Sequence, residues 1–184
     1  HYKGNTVHRR IQRRLGINGL PNVIEYYAFL LKTPKELKTL SQDMLIGVTR
    51  FFRDTEAFES LENIVIPDII KQSDSKELIR VWSACCSTGE EAYSLAILID
   101  EALKKLGVSR NVRVFATDVD AVAINDASVG KYSPNIANDM SNERLSNYFI
   151  KSDDCYTISP HIRQMVVFAQ HNLLQDPPFS NCQL

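Results

Sequence analysis

The sequence lacks the features that mark several specialised classes of protein. Only seven glycines and seven prolines occur among 184 residues, and no internal repeat or low-complexity tract is present, which excludes collagen-like and disordered chains. No apolar run approaches the roughly 18 residues needed to span a bilayer. No charged-then-apolar leader opens the chain. With 44% hydrophobic and 23% charged residues, the composition is typical of a globular domain, and we predict a cytoplasmic one.

Metal-binding and disulfide patterns are also missing. The four cysteines contain no CxxC pair, and the four histidines show no metal-ligand spacing. We therefore expect reduced thiols and no metal site. The cysteines are Cys85, Cys86, Cys155 and Cys182.

Charge is distributed unevenly along the chain. The net charge is −1, but residues 1–50 carry nine Lys or Arg against three Asp or Glu, which is +6 and leaves −7 for residues 51–184. This asymmetry predicts two units with different partners.

The first 70 residues read as a helical unit. Helical spacing of apolar residues predicts helices over Thr6–Leu15, Val23–Leu31 and Pro34 to about Leu45. Asp54 is a candidate N-cap for a fourth helix, and Pro67 marks its end or a kink. We predict domains at residues 1–70 and 71–184.

After residue 76 the periodicity changes to alternating strands and helices. Strands are predicted over Leu78–Ser83, Val112–Asp118 and Met165–Ala169, with helices over Glu91–Gly107 and around Ala123–Ala127. This order predicts an α/β fold with a parallel, doubly wound sheet.

The turn after the first strand is where such sheets bind ligands. It contains neither GxGxxG nor GxxxxGK[ST], and Glu90 and Glu91 would repel a phosphate at the helix start. Asp118 ends the second strand, at a spacing suited to ribose hydroxyls. A nucleoside held without phosphate contacts is one interpretation. In the other, Glu90 and Glu91 only stabilise a helix N-terminus and Asp118 caps the next helix.

Four ordered blocks of sequence resemble one known family, the CheR-type chemoreceptor glutamate methyltransferases. The chain is most similar to CheR modules of larger signalling proteins. It begins with His1 and stops at Leu184, so we expect a fragment truncated at its C-terminus. The blocks are TRFFRD at Thr49–Asp54, VWSACCSTGEEAYSLA at Val81–Ala96, ATDVD at Ala116–Asp120, and HNLL with DPPF within His171–Phe179.

The resemblance implies an N-terminal helical subdomain followed by the first half of a Rossmann-like methyltransferase sheet that binds S-adenosyl-L-methionine. Thr49 and Arg53 would contact the methionine end of the cofactor, and Glu90 its amino or sulfonium side. Asp118 would accept the ribose hydroxyls, and Asn172 and Leu173 would border the adenine.

The chain departs from the family pattern at two positions and in its extent. Cys85 stands where the family often has Gly, at a cost of about 1–2 kcal/mol if the backbone is left-handed there. Ala92 replaces a common Pro. The family's Cys-Arg-Asn strand, a later Tyr and the small receptor-docking β-subdomain are expected beyond Leu184, so an exposed sheet edge could support a dimer.

The implied reaction is methylation of receptor glutamates in chemotaxis signalling, with no residue assigned as a catalytic acid or base. Arg9, Arg10, Arg13 and Arg14 would approach acidic receptor segments. A solvated helix face and a nucleic-acid contact are the alternatives for this basic helix, and we expect no nucleic-acid binding. The alternative function is a catalytically degenerate module that binds cofactor or acts as a scaffold.

Overall fold

The computed structural model describes residues 4–44, 49–74 and 77–184. Contacts between residues divide the chain into two units, His1–Ile46 and Gly47–Leu184.

The first unit contains the three helices that the sequence predicts. They are α1 (Gly4–Ile17), α2 (Val23–Lys32) and α3 (Pro34–Met44). Asn22 caps α2 by accepting the Glu25 N–H at 2.9 Å. The end predicted for the third helix, Leu45, lies outside the described residues.

A buried polar cluster joins the three helices. Glu36 of α3 is 7% exposed and accepts hydrogen bonds from Arg14 of α1 at 2.8 and 2.5 Å. Tyr26 of α2 and Asn18 donate to the same carboxylate at 2.9 and 3.0 Å. The Arg14 hydrogen bonds lower the pKa of Glu36, so the carboxylate is ionised and fully paired.

The second unit begins with a helical segment of three pieces: α4 (Thr55–Ser60), a π-helical turn (Leu61–Val65) and α5 (Ile66–Gln72). Asp54 occupies the N-cap position of α4 but makes no side-chain capping bond. Pro67 lies in the first turn of α5, where a missing N–H is tolerated, so the helix continues past it.

The division between units lies earlier than residue 70. The π-helical turn and α5 pack against α6 (Glu90–Leu106) of the sheet domain, which assigns residues 55–72 to the second unit. Sequence periodicity identifies these residues as helical but contains no information about which neighbour they cover.

The main sheet is parallel, as predicted. Its strands β1 (Ile79–Ala84), β2 (Val112–Asp118) and β6 (Val166–Gln170) lie in the order β1-β2-β6. Val114 of β2 pairs with Val81 on one side and Val166 on the other. Helices α6 and α7 (Ala121–Val129) follow the first two strands.

Helix α6 is the centre of the core. Every residue from Ala92 to Ile99 is buried, whereas the sequence predicts one apolar face. The extra burial arises because α6 contacts β2 and β6 of the sheet, the π-helical turn, α5 and α9 (Pro160–Met165).

A second, antiparallel sheet lies within the chain. Its strands are β3 (Lys131–Tyr132), β4 (Phe149–Lys151) and β5 (Tyr156–Ile158), in the order β3-β5-β4, with a 3₁₀ helix (Pro134–Asn138) and α8 (Asn142–Tyr148) between β3 and β4. The sequence does not predict this sheet, and the position of the receptor-docking β-subdomain beyond Leu184 stays a prediction. Strands of two or three residues are too short to produce a readable alternation.

Residues 183–184 lie beside the first strand. The Gln183 N–H donates to the Arg80 carbonyl, and the Trp82 N–H donates to the Leu184 carbonyl, both at 2.8 Å. These bonds engage the edge of β1 that is not paired with β2. Dimerisation through a sheet edge stays a prediction. Among the described helices, none has the length and apolar character needed to cross a membrane.

Candidate functional site

The turn between β1 and α6 is tightly curled. Cys85, Ser87 and Gly89 all have positive φ, at 58°, 49° and 90°. The turn is fastened to β2 because the Cys86 N–H donates to the Thr117 carbonyl at 2.9 Å. Cys85 therefore adopts a left-handed geometry that its Cβ disfavours, at a cost of about 1–2 kcal/mol.

Gly89 is required where the turn meets α7. A Cβ added at Gly89 would lie 2.9 Å from the Cβ of Ala127 and 3.1 Å from the Phe168 ring. The absent side chain lets α7 and β6 approach the beginning of α6.

Asp118 holds the other side of the turn. Its Oδ2 accepts the Ser87 N–H at 2.8 Å and its Oδ1 accepts the Asp120 N–H at 2.9 Å. The cap of α7 is Asp120, which accepts the Val122 N–H at 2.9 Å. Asp118 is thus no helix cap, and its two oxygens retain lone pairs for ligand hydroxyls.

Glu90 lies at the opposite end of the same turn, in the first turn of α6. Its Oε2 accepts the Thr88 hydroxyl at 2.7 Å. Burial raises the pKa of Glu90, and the charge of Asp139 adds to the increase, although the Thr88 bond opposes it. Neighbouring Glu91 instead accepts the Ser83 hydroxyl at 2.8 Å. A cation beside Glu90 would relieve the cost of its buried charge.

A cleft of about 820 Å³ opens in front of Glu90, within the size range of small-molecule sites. Thr49 lines this cleft, so the structure brings together two predicted cofactor residues that are far apart in sequence. Tyr132 forms part of the wall, and its hydroxyl donates to the Thr88 carbonyl at 2.9 Å. The other lining residues are Arg50, Thr88, Asp126, Val129, Lys131, Ser133, Asn135, Ile136, Asn138 and Asp139.

Arg50 also lines this cleft, although the sequence does not predict it as a cofactor residue. Arg53, the predicted ligand of the cofactor carboxylate, is exposed and does not line the cleft. The two residues are linked because the Arg50 guanidinium donates to the Arg53 carbonyl at 3.2 Å. The Thr-Arg-Phe-Phe-Arg block contains both arginines, so the signal for Arg50 was present in the motif.

Asn172 and Leu173 lie at the Asp118 end of the site. The preceding residue, His171, donates its N–H to the Asp118 carbonyl at 2.9 Å. Asn172 donates its own N–H to Asp176 Oδ2 at 2.7 Å, and its Oδ1 accepts the Leu174 N–H at 3.0 Å. Leu173 is 48% exposed and provides apolar surface there.

The four arginines of α1 are not equivalent. Arg9 and Arg13 are exposed and Arg10 is half-buried, which suits a docking surface. The Arg14 side chain is only 12% exposed and is paired with Glu36. Arg14 therefore stabilises the helical unit from inside, a role that a count of charges along the helix cannot reveal.

The arrangement fits the methyl donor implied by the resemblance. A carboxylate suited to hydroxyls and a carboxylate suited to a cation stand at the two ends of one turn, at the carboxyl end of a parallel strand. Such a pair matches a nucleoside with a positively charged tail.

Comparison with protein families agrees with this geometry. Residues 47–184 match the family described as CheR methyltransferase, SAM binding domain, where SAM is S-adenosyl-L-methionine. Residues 1–45 match CheR methyltransferase, all-alpha domain. The two matches meet where the structure divides into its two units.

Curated relatives cover nearly the whole chain. An uncharacterized 104.1 kDa protein in the hypE 3′ region of Rhodobacter capsulatus is 43% identical over 183 residues, which are 100% of this chain and 19% of that protein. A chemotaxis protein methyltransferase of Listeria innocua is 31% identical over 175 residues, covering 95% of this chain and 64% of that protein. Chemotaxis protein methyltransferase 2 of Vibrio cholerae is 31% identical over 170 residues, covering 91% and 58%. The chain thus spans less than two thirds of each.

Proposed function

Because this chain belongs to the CheR methyltransferase family, whose SAM-binding domain uses S-adenosyl-L-methionine as cofactor, we propose that it methylates glutamate side chains of a chemoreceptor. The products would be a γ-carboxyl methyl ester and S-adenosyl-L-homocysteine. The observation that supports this function most is the placement of Thr49 and Glu90 in one cleft, with Asp118 at the other end of the Ser87–Glu90 turn.

The cofactor residues have separate tasks. Asp118 accepts the ribose hydroxyls, and Asn172 with Leu173 borders the adenine. Glu90 stabilises the positively charged end of the cofactor. Burial raises the pKa of Glu90, so a neighbouring cation favours its ionised form. Thr49 with Arg50 or Arg53 holds the methionine carboxylate, since a guanidinium pairs well with carboxylates. When bound, the cofactor supplies a methyl group activated by a sulfonium.

The chain's own residues need not move a proton. A glutamate with a pKa of about 4.3 is already ionised at neutral pH and can act as a nucleophile. Lys131 lines the cleft and attracts such an anion. The walls of the cleft orient the acceptor and exclude water, which lowers the entropic part of the barrier.

Esterification removes one negative charge from the receptor, which is a physical reason for it to alter signalling. Arg9, Arg10 and Arg13 of α1 approach the acidic methylation segments and steer their encounter. Arg14 contributes indirectly, by holding α1 on α3 through Glu36. The setting for this reaction is the cytoplasm, where the signalling parts of such receptors would be reached.

A catalytically degenerate module is the second candidate. Cys85 stands where the family often has glycine, and it adopts a left-handed geometry that suits glycine better. This departure from the family pattern favours a degenerate site. Such a module would bind the cofactor without transferring its methyl group.

Binding is tested first, by calorimetry with S-adenosyl-L-homocysteine. We expect micromolar binding, reduced at least tenfold by Arg50→Ala or Arg53→Ala, because a charge-assisted hydrogen bond contributes about 1.5–3 kcal/mol. Arg113→Ala is the matched control, since Arg113 is exposed and bonds to the Gln164 carbonyl away from the cleft. No binding by the unmodified protein would remove the cofactor site from consideration.

Transfer is tested with cofactor labelled in the methyl group and a receptor peptide. Label should enter the glutamate peptide in a form released as methanol by mild alkali, as expected for an ester. A peptide with glutamine at the same positions is the control. Cofactor binding without transfer to any receptor peptide would favour the degenerate module.

A further inference from the structure

The loop that contains Thr49 and Arg50 has a strained backbone. Phe52 adopts φ 49°, a left-handed geometry that costs a residue with a side chain about 1–2 kcal/mol. Such a conformation persists only where surrounding contacts hold it. The loop therefore needs anchors outside its own sequence.

Ser94 of α6 is one anchor. Its side-chain oxygen accepts the Phe52 N–H at 3.1 Å, and its hydroxyl donates to the Glu90 carbonyl at 2.7 Å. Ser94 is fully buried at 0% exposure, among residues that are otherwise mostly apolar. A hydroxyl can accept and donate at once, so a single oxygen links the strained loop to the first turn of α6.

The side chain of Phe52 is held as well. Its ring packs edge-on against Phe58, with centroids 5.5 Å apart. The guanidinium of Arg144 lies 4.7 Å from the same ring centroid, a cation–π distance. Arg144 is itself fixed by Glu101 of α6 at 2.7 Å. The backbone and the ring of Phe52 are thus both fastened to α6.

We propose that Ser94 is a positioning residue that sets the loop of residues 49–53 against Glu90 and thereby shapes the cofactor cleft. Thr49 and Arg50 are within three residues of Phe52, and Glu90 is one helical turn from Ser94. The bridge fixes the separation between these two walls of the cleft. This inference rests on the proposed function, because it assumes that both walls hold the methyl donor.

Ser94→Ala removes the bridge with little change in volume. We expect S-adenosyl-L-homocysteine affinity to fall about tenfold if the released loop holds the binding conformation only about a tenth of the time, since apparent affinity scales with the fraction of competent protein. Hydrogen–deuterium exchange should rise in the peptide containing residues 50–54. The matched control is Ser73→Ala, because Ser73 also donates its hydroxyl to a carbonyl four residues earlier, Ile69, at 2.7 Å.

The two readouts separate positioning from general stability. A positioning role predicts that only Ser94→Ala loses affinity and loop protection, whereas Ser73→Ala keeps both even where its urea midpoint falls. Unchanged affinity and protection in Ser94→Ala, or equal losses in both variants, would overturn the proposal. If the unmodified protein binds no S-adenosyl-L-homocysteine, the proposed function fails, and exchange alone decides whether Ser94 holds the loop.

A second variant covers the case in which Ser94→Ala does not fold. Ser94→Cys keeps a group of similar size with weaker hydrogen bonding. Its loop protection and affinity should lie below those of the unmodified protein. Full retention of both with a thiol at this position would contradict the proposal.

Discussion

We expect Arg14→Ala to destabilise the helical unit by about 3 kcal/mol, near the lower end of the cost of breaking a buried ion pair. Arg14 and Glu36 have side chains only 12% and 8% exposed, so solvent screens their interaction little. Removing the guanidinium leaves the Glu36 carboxylate buried with the bonds from Tyr26 and Asn18 alone. These two bonds keep the loss from reaching the upper end of the range.

The assay is urea unfolding followed by far-ultraviolet circular dichroism, with Arg13→Ala as the matched control because Arg13 is exposed on the same helix. Replacing this surface arginine should change the free energy of unfolding by no more than about 0.5 kcal/mol. The pH dependence gives a second check. Because the pKa of Glu36 is lowered, its stabilisation is present above the ordinary carboxyl pKa and is lost as pH falls through the lowered value. A loss below about 1 kcal/mol in Arg14→Ala would refute the assignment of Arg14 to the interior, since this is the range of surface ion pairs.

Three further outcomes follow from the second unit. Cys85→Gly should raise the free energy of unfolding in urea by about 0.5–1 kcal/mol, because glycine removes the strain of a side chain at φ 58°. That gain exceeds the cost of the greater freedom of glycine in the unfolded chain, and a loss of stability would contradict this prediction. Affinity for S-adenosyl-L-methionine should fall as pH drops through the raised pKa of Glu90, since the protonated acid no longer attracts a cation, and calorimetry of Glu90→Gln should show a flat profile. Gly130→Ala should destabilise the protein by at least about 1–3 kcal/mol in urea unfolding, because φ is 67° and the added Cβ would lie 2.5 Å from Ile158 Cγ2; a neutral effect would show that β5 can shift.

The sequence predicts the parallel sheet well because its strands and helices are long. β2 has the predicted bounds, Val112–Asp118, and α6 differs from its prediction by one residue at each end. The sequence does not predict the antiparallel sheet of β3, β4 and β5, because each strand is only two or three residues long. Short strands derive their order from packing, which leaves little local pattern to detect.

The candidate site likewise combines features that the sequence predicts with features that it does not. Asp118 and Glu90 are predicted as cofactor residues because the ends of parallel strands and the following helix starts are common places for ligands, and their roles stay predictions. The structure excludes Asp118 as the cap of α7, because Asp120 occupies that position, and a ligand role for Asp118 stays a prediction. The ranking of Arg50 and Arg53 likewise depends on how the loop turns at Phe52, a left-handed residue that no periodicity indicates.

Ser94 illustrates one further sequence signal, a polar residue within a predicted core helix. Serine is usually found at a solvent-exposed position or at a cap of a helix. Ser94 lies instead within the buried run from Ala92 to Ile99, which is a local inconsistency on a helix predicted to be amphipathic. A buried hydroxyl must find partners, and its own helix offers only the carbonyl four residues earlier. The second partner had to come from elsewhere in the chain, and it is the Phe52 N–H, 42 residues away. Polar residues embedded in predicted core helices near a ligand-binding turn are therefore candidates for positioning roles, even where the distant partner cannot be named from sequence.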